Sequence, residues 1–297
     1  MTHTDQSRYT WGGDEFLLVE ISPDMSLESN FIANAVAHGL EEAALDGIVD
    51  ICPANASLLI RFDPDALSHG VLEARVREFE TEVRRATVQQ LETRIMEMPV
   101  WYGDPYTAEV EQRFREGFHQ RPEGTDLDYS AEVNGLASAE EFIRRHHETP
   151  WIVSMVGFVA GLPFLFQLTP RERQLEVPKY LSPRTDTPAL TIGYGGCFTA
   201  HYSVRGAGGY QMLGITPTPI FDPEQQLADF ADFMVLFRTG DLVKYRAVDE
   251  AEYREIEAQV AAGTYRYRQA PVTFTLAEAL ADPDAYNRTL LEALDVA

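Results

Sequence analysis

Few side chains in this sequence combine a reactive type with a telling position. Arg184 stands in a proline-flanked segment, between Pro183 and Pro188, ahead of a β-like run that starts near Thr191. A guanidinium there offers a planar fork that matches a carboxylate or a carboxylated intermediate. The competing account is a surface ion pair in a chain rich in acid. Lys179, after Pro178, could supply a point-charge version of the same role without the fork geometry. His201, beside Tyr202 on an expected strand, could act as a general base or an oxyanion donor. Cys197 would need an activating partner to be a nucleophile, and the sequence shows none, so a small buried thiol fits better. His146 and His147 precede Glu148, but adjacent histidines on a helix point in different directions and make a poor chelate. Cations at a helix end suit them better, and no metal site is expected. The run "GAGGY" (206–210) lacks the Lys-Ser/Thr of a phosphate loop, and no helix opens after it.

The elements that must position these residues are legible in outline. "EFLLVEIS" reads as a strand. A helix follows from Ser26, a plausible N-cap, with Ile32, Val36, Leu40 and Ala44 along one face. "GIVDICPA" and "SLLIRFDP" read as strands joined by a turn at Ala54-Asn55, and a second helix carries Leu72, Val76, Phe79 and Val83. The order strand, helix, strand, strand, helix is a ferredoxin-like α+β layout. "MEMPVWYG" opens a second unit. "TAEVEQRFREGF" is a short helix, and "HQRPEGTDLDYSAEVNG" reads as a loop. "SAEEFIRRH" starts another helix with a capping box of Ser138 and Glu141. Residues 151–247 read as mainly β, and the tail reads as a helix stopped at Gly263, then further helix after Pro271.

The totals narrow the classes. The chain has 297 residues and a net charge of −23, and 45% of it is hydrophobic. That is enough for two cores, and so acidic a surface repels phosphate backbones and anionic membranes. Nucleic acid is not an expected partner. The two cysteines, Cys52 and Cys197, are no disulfide framework and fit a reducing, cytoplasmic setting. "MTHTDQSRYTWGGDEF" lacks the basic and apolar regions of a signal peptide. The uncharged stretch Trp151 to Leu168 approaches a membrane span in length, but Gly157, Gly161 and Pro163 argue for a buried strand and a turn, with no membrane association expected. Between Thr191 and Pro217 stand seven glycines, at 193, 195, 196, 206, 208, 209 and 214.

The segments "PVWYG", "MVGFVAGLPFL", "PRTDTPALTIGYGG", "GGYQMLGITPTPIFD" and "FRTGDLVKYRAV" give the chain a resemblance. It is similar to the family of allophanate hydrolase subunit 1, the B subunit of 5-oxoprolinase and the Kip-type sporulation-kinase inhibitor, a module that also forms one half of the urea carboxylase carboxyltransferase domain. The resemblance covers residues 14 to about 268. It implies that the second domain is a cyclophilin-like β-barrel, in which glycines let strands coil or let a ligand or partner backbone approach. The expected α+β architecture is a ferredoxin-like domain over 14–93, a cyclophilin-like β-barrel domain over 94–250 and a helical C-terminal extension over 251–297, with the break near Arg94 to Pro99. Scaffold positions persist while polar ones differ. The family's Pro-Gly-Phe-Pro turn is Ala160-Gly161-Leu162-Pro163 here. One Pro-Arg pair is Pro178-Lys179, and the other is kept as Pro183-Arg184.

The resemblance implies a subunit of a heteromeric ATP-dependent hydrolase or carboxyltransferase. The substrate would be an amide, a 5-oxoproline-like lactam or a urea- or allophanate-like small molecule, and the chain would be inactive alone. Its partner would be a second cyclophilin-like subunit, with further carboxylase subunits in a larger complex. Arg184, Lys179 and His201 are the candidate catalytic residues. Two alternatives stay open: an accessory subunit of an ATP-dependent ketone or amide carboxylase, and a non-enzymatic Kip-type kinase-binding protein. The sequence has no Met-Lys-Met biotin-attachment pattern and no phosphate loop, so no cofactor is assigned to this chain. ATP or carboxybiotin would come from partner subunits.

Overall fold

The computed structural model describes residues 7–86 and 89–296. The first six positions of the segment read for a leader therefore lie outside the described residues. The chain divides into two compact units, one of residues 1–91 with 274–278 and the other of 92–273 with 279–297.

The first unit contains strands β1 (Arg8–Gly12) and β2 (Phe16–Glu20), helix α1 (Leu27–Ala43), strands β3 (Ile48–Ala54) and β4 (Ser57–Phe62) and helix α2 (His69–Arg85). All its pairings are antiparallel, in the order β1-β2-β4-β3. β2 and β3 thus run parallel with β4 between them, joined through α1. Strand alternation buries Leu17 and Val19 of β2 and Leu58, Ile60 and Phe62 of β4. The apolar stripe of α1 meets them, with Val36 and Leu40 in the same cluster. Ser26 caps α1 as expected, accepting from the Ser29 N–H at 3.1 Å. β1 is an addition to the sequence reading. It is held at the sheet edge by Glu80 of α2, which accepts from the Ser7 hydroxyl at 2.5 Å and the Tyr9 hydroxyl at 2.7 Å.

The second unit opens with β5 (Gln90–Tyr102), then helices α3 (Pro105–Arg113), α4 (Asp126–Val133) and α5 (Ala139–Glu148). Strands β6 (Trp151–Val156), β7 (Pro163–Gln167), β8 (Arg184–Thr187), β9 (Thr191–Gly195), β10 (Phe198–His201), β11 (Gly206–Gly208), β12 (Gln211–Ile215) and β13 (Leu242–Ala247) follow. Helix α6 (Glu250–Ala261), strand β14 (Gln269–Thr275) and helices α7 (Leu276–Ala281) and α8 (Pro283–Asp295) end the chain. Strands pair in the order β6-β13-β5-β12-β9-β10-β7, and β7 pairs back to β6, so the strands form a closed ring. β5 and β13 are parallel, and their neighbours in the ring are antiparallel. β8 and β11 make a separate two-stranded ribbon. Met98, Trp151, Leu165, Tyr194, Leu213 and Tyr245 belong to one buried cluster. The fold is mixed α/β.

Two readings need correction. The stretch read as a loop over 119–135 contains α4, because Thr125 and Asp128 form a reciprocal capping box. The tail read as helix also holds β14. The uncharged run at 151–168 is β6, a turn and β7, as expected, and among the described residues no helix is long and apolar enough to cross a membrane.

Candidate functional site

The glycine-rich stretch answers to two tyrosines. A Cβ at Gly195 would lie 2.6 Å from Cε1 of Tyr210, and one at Gly208 would lie 2.6 Å from Cε1 of Tyr202. Neither ring could hold its place against a side chain there. At Gly214 a Cβ would come 2.8 Å from the Tyr102 Cα, so this glycine lets β12 close on β5. Gly196, at φ +64°, makes the tight turn between β9 and β10.

With the rings so placed, a cavity of about 310 Å³ opens in the second unit. Phe164 of β7, Ala200 of β10, Tyr202 and Tyr210 form part of its wall. Leu162, Tyr180, Pro183 and the backbone of Gly208 and Gly209 complete much of the rest, and Phe158 and Lys179 stand at it as well. Phe158 is 72% exposed and holds φ +72°, a left-handed conformation unusual for a bulky residue.

Arg184 opens β8 and is fully buried. Its guanidinium lies 4.3 Å from the centroid of the Tyr180 ring. Nη2 donates to the Thr187 hydroxyl at 3.3 Å, while Nε and Nη1 have no hydrogen-bond partner among the described residues. No described carboxylate reaches it as an ion pair, which corrects the alternative of a surface ion pair. Pro183 precedes it, Gly208 faces it across the β8–β11 ribbon, and Tyr202 feels its charge. Burial raises the Tyr202 pKa, and Arg184 acts against that rise. Since Tyr180, Pro183, Tyr202 and Gly208 all line the cavity, the guanidinium sits directly behind the cavity wall.

Lys179 is exposed, and its Nζ lies 5.2 Å from the Tyr210 ring centroid. The fold therefore brings Lys179 and Arg184 to one cavity, the first in solvent and the second behind the wall. His201 goes elsewhere. Alternation along β10 turns Ala200 to the cavity and Thr199 and His201 to the opposite face. His201 Nε2 meets the Tyr245 hydroxyl at 2.6 Å, its Nδ1 has no partner among the described residues, and burial pulls its pKa down to about 3. Cys197 is half-buried, and burial pushes its thiol pKa up, the opposite of activation. The expectation of helix-end cations fails for His146. It is fully buried, between the Tyr102 hydroxyl at 2.8 Å and the Thr199 hydroxyl at 3.1 Å, and burial holds its pKa well below the usual imidazole range.

Behind Tyr180 lies a cluster that the sequence reading missed. The Tyr180 hydroxyl contacts both oxygens of Asp126 at 2.8 Å. Asp126 is fully buried and also accepts from the Met212 N–H at 2.8 Å and from Arg115 Nη2 at 3.0 Å. Arg115 in turn donates to Glu111 at 2.7 Å. Burial, and then the charge of Asp126, push the Glu111 pKa up to about 9. Two local signals could have exposed the cluster: the i,i+4 spacing of Glu111 and Arg115, and the Thr125-Asp128 box that starts α4.

A family model described as carboxyltransferase domain, subdomain C and D, matches residues 7–230, and the chain belongs to that family. It is 29% identical over 250 residues to the B subunit of 5-oxoprolinase from Bacillus subtilis (strain 168), a match over 81% of this chain and 92% of that protein. The protein of the same name from Escherichia coli O157:H7 is 27% identical over 235 residues, covering 78% and 92% of the two chains. Among solved structures, the urea amidolyase of K. lactis matches with a TM-score of 0.82 at 24% identity, a likeness of fold, and covers 97% of this chain. The chain spans 18% of that larger enzyme.

Proposed function

We propose that this chain is a subunit of a heteromeric, ATP-dependent hydrolase or carboxyltransferase of the cytoplasm, and that its cavity receives a small molecule through a carboxylate. The first unit is read as ferredoxin-like and the ring of the second as a cyclophilin-like barrel. The observation that carries the site is Arg184: a fully buried guanidinium behind a cavity wall, with Nε and Nη1 unpartnered among the described residues. An uncompensated buried charge is costly to keep, so a bound anion is its natural counterpart. A carboxylate that enters the cavity and displaces part of the wall at Tyr202 or Pro183 accepts the free N–H groups as charge-assisted hydrogen bonds, and Lys179 adds a second positive charge from the solvent side. In this reading His201 holds Tyr245 on the other face of β10 and does not touch substrate.

A partner subunit closes the site. Phe158 and Leu181, 72% and 73% exposed, stand at or beside the cavity and offer apolar surface for it. Nucleotide and carboxybiotin are assigned to other subunits. The glycine run here does not fit a triphosphate cradle, because Gly206–Gly208 is a strand and Gly208 lies against the Tyr202 ring. Co-purification from the native source tests the assignment. A second carboxyltransferase-type subunit in the complex supports it, and a histidine kinase as sole companion supports the binding-protein alternative.

A further inference from the structure

We infer that the cavity selects a carboxylate carried on a flat, apolar ring, an arylacetic type of acid, over a small acid whose body bears amide groups. This rests on the reading of Arg184 as the carboxylate anchor.

The walls decide the body of the ligand. Phe164, Tyr202 and Tyr210 present ring carbon, and Leu162, Ala200 and Pro183 present aliphatic carbon. No carboxylate or amide side chain lines the space, and Lys179 is its one charged lining residue among the described residues. The side-chain hydroxyls are those of three tyrosines, and two of them are engaged. Tyr180 gives its hydroxyl to Asp126, and Tyr202 lies in the field of Arg184. An amide or lactam N–H buried here would give up water with few acceptors in exchange. A ring would instead stack or pack edge-on against Tyr202, Tyr210 and Phe164. The bare backbone at Gly209, where a Cβ would come no nearer than 3.8 Å to Pro183, adds a low wall against which a planar group can lie. The cavity, at about 310 Å³, falls at the small end of ligand sites, near the size of one ring with a short acidic arm.

Isothermal titration of the full chain with sodium phenylacetate, acetate, 5-oxoproline and neutral benzyl alcohol tests this, repeated on Arg184→Met and Tyr210→Ala. Phenylacetate is expected to bind at least tenfold more tightly than acetate, 5-oxoproline or benzyl alcohol. Arg184→Met is expected to lose at least tenfold of that affinity, and Tyr210→Ala to narrow the gap between phenylacetate and acetate. If acetate or 5-oxoproline binds as tightly as phenylacetate, and Arg184→Met still abolishes binding, the inference is overturned while the carboxylate anchor stands. Acid binding that Arg184→Met leaves unchanged, or no acid binding at all, overturns the anchor itself. Should Arg184→Met fail to fold, Arg184→Lys, which keeps the charge and loses the fork, is expected to bind phenylacetate more weakly than the native chain, and undiminished binding overturns the anchor.

Discussion

The Arg184 guanidinium rests 4.3 Å from the centre of the Tyr180 ring, and the same tyrosine gives its hydroxyl to both oxygens of Asp126. The cation behind the cavity is thus positioned by an aromatic plate that is itself pinned from the far side by a buried carboxylate. Asp126 is in turn balanced by Arg115 and the Met212 N–H.

Breaking the pin should be expensive. Asp126→Asn removes one of the two carboxylates that accept from Arg115 in a buried site, and losing one member of such a pair typically costs about 3–5 kcal/mol. Tyr180→Phe removes a single hydroxyl and should cost less, about 1–3 kcal/mol, because the carboxylate keeps two other donors. Urea denaturation midpoints of the two variants check the ranking. Equal losses would mean that the hydroxyl carries the whole effect.

Glu111 makes stability depend on alkaline pH. Its ordinary value of 4.5 rises to about 9 in the folded chain. Between those two values the folded state holds the proton that the unfolded state has released, so stability falls as pH rises through that window. Glu111→Gln, which keeps the oxygen that accepts from Arg115, should flatten that slope. Denaturation at pH 6 and pH 9 measures it, and an unchanged slope in the variant would remove Glu111 as its source.

His201 acts in the opposite range. With its pKa near 3 against an ordinary 6.5, it stays neutral in the folded chain, and the stability this contributes is lost as pH falls from 6.5 toward 3. Nitrogen NMR of the imidazole at pH 5 should show the neutral ring. A titration midpoint near 6.5 would place the ring in solvent and reopen a catalytic role for it.

The glycines can be sorted by what surrounds them. Gly195→Ala drives a methyl into the Tyr210 ring and should cost about 1–3 kcal/mol, in line with overpacked cores. Gly206→Ala meets nothing within 4 Å and should be near neutral. Thermal melting of both proteins compares them, and a larger loss at Gly206 would contradict the account of the tyrosine slots.

Much of the scaffold is legible from local pattern. The four-residue repeat of α1 and its Ser26 cap, the strand pair around Asn55 and the stop at Gly263 are short-range signals, and each is found in place. α4 is hidden because Pro122 and Gly124, just ahead of it, outweigh the Thr125-Asp128 box. β1 carries the alternation of Tyr9 and Trp11, but it is only five residues long and sits at an edge. The site itself is half legible. The positions of Arg184 and Lys179 point to a cleft beside the glycine run, yet the burial of Arg184 cannot be read from its neighbours in the sequence. Nor can Asp126, because Glu111, Arg115, Tyr180 and Met212 reach it from three separate stretches of chain. In the sequence the glycines suggest relief for strands or ligand, whereas Gly195 and Gly208 make room for tyrosine rings.

The most direct test of the carboxylate anchor is Arg184→Met, assayed twice: for stability in the isolated chain and for turnover in the reconstituted complex. A guanidinium kept for an anion is a burden without one, so an apolar side chain of similar length should leave stability unchanged or raise it by roughly 1–4 kcal/mol. Turnover should fall at least tenfold, since about 1.4 kcal/mol of lost binding is a decade. A lowered denaturation midpoint with turnover intact would contradict the account and make Arg184 a structural residue.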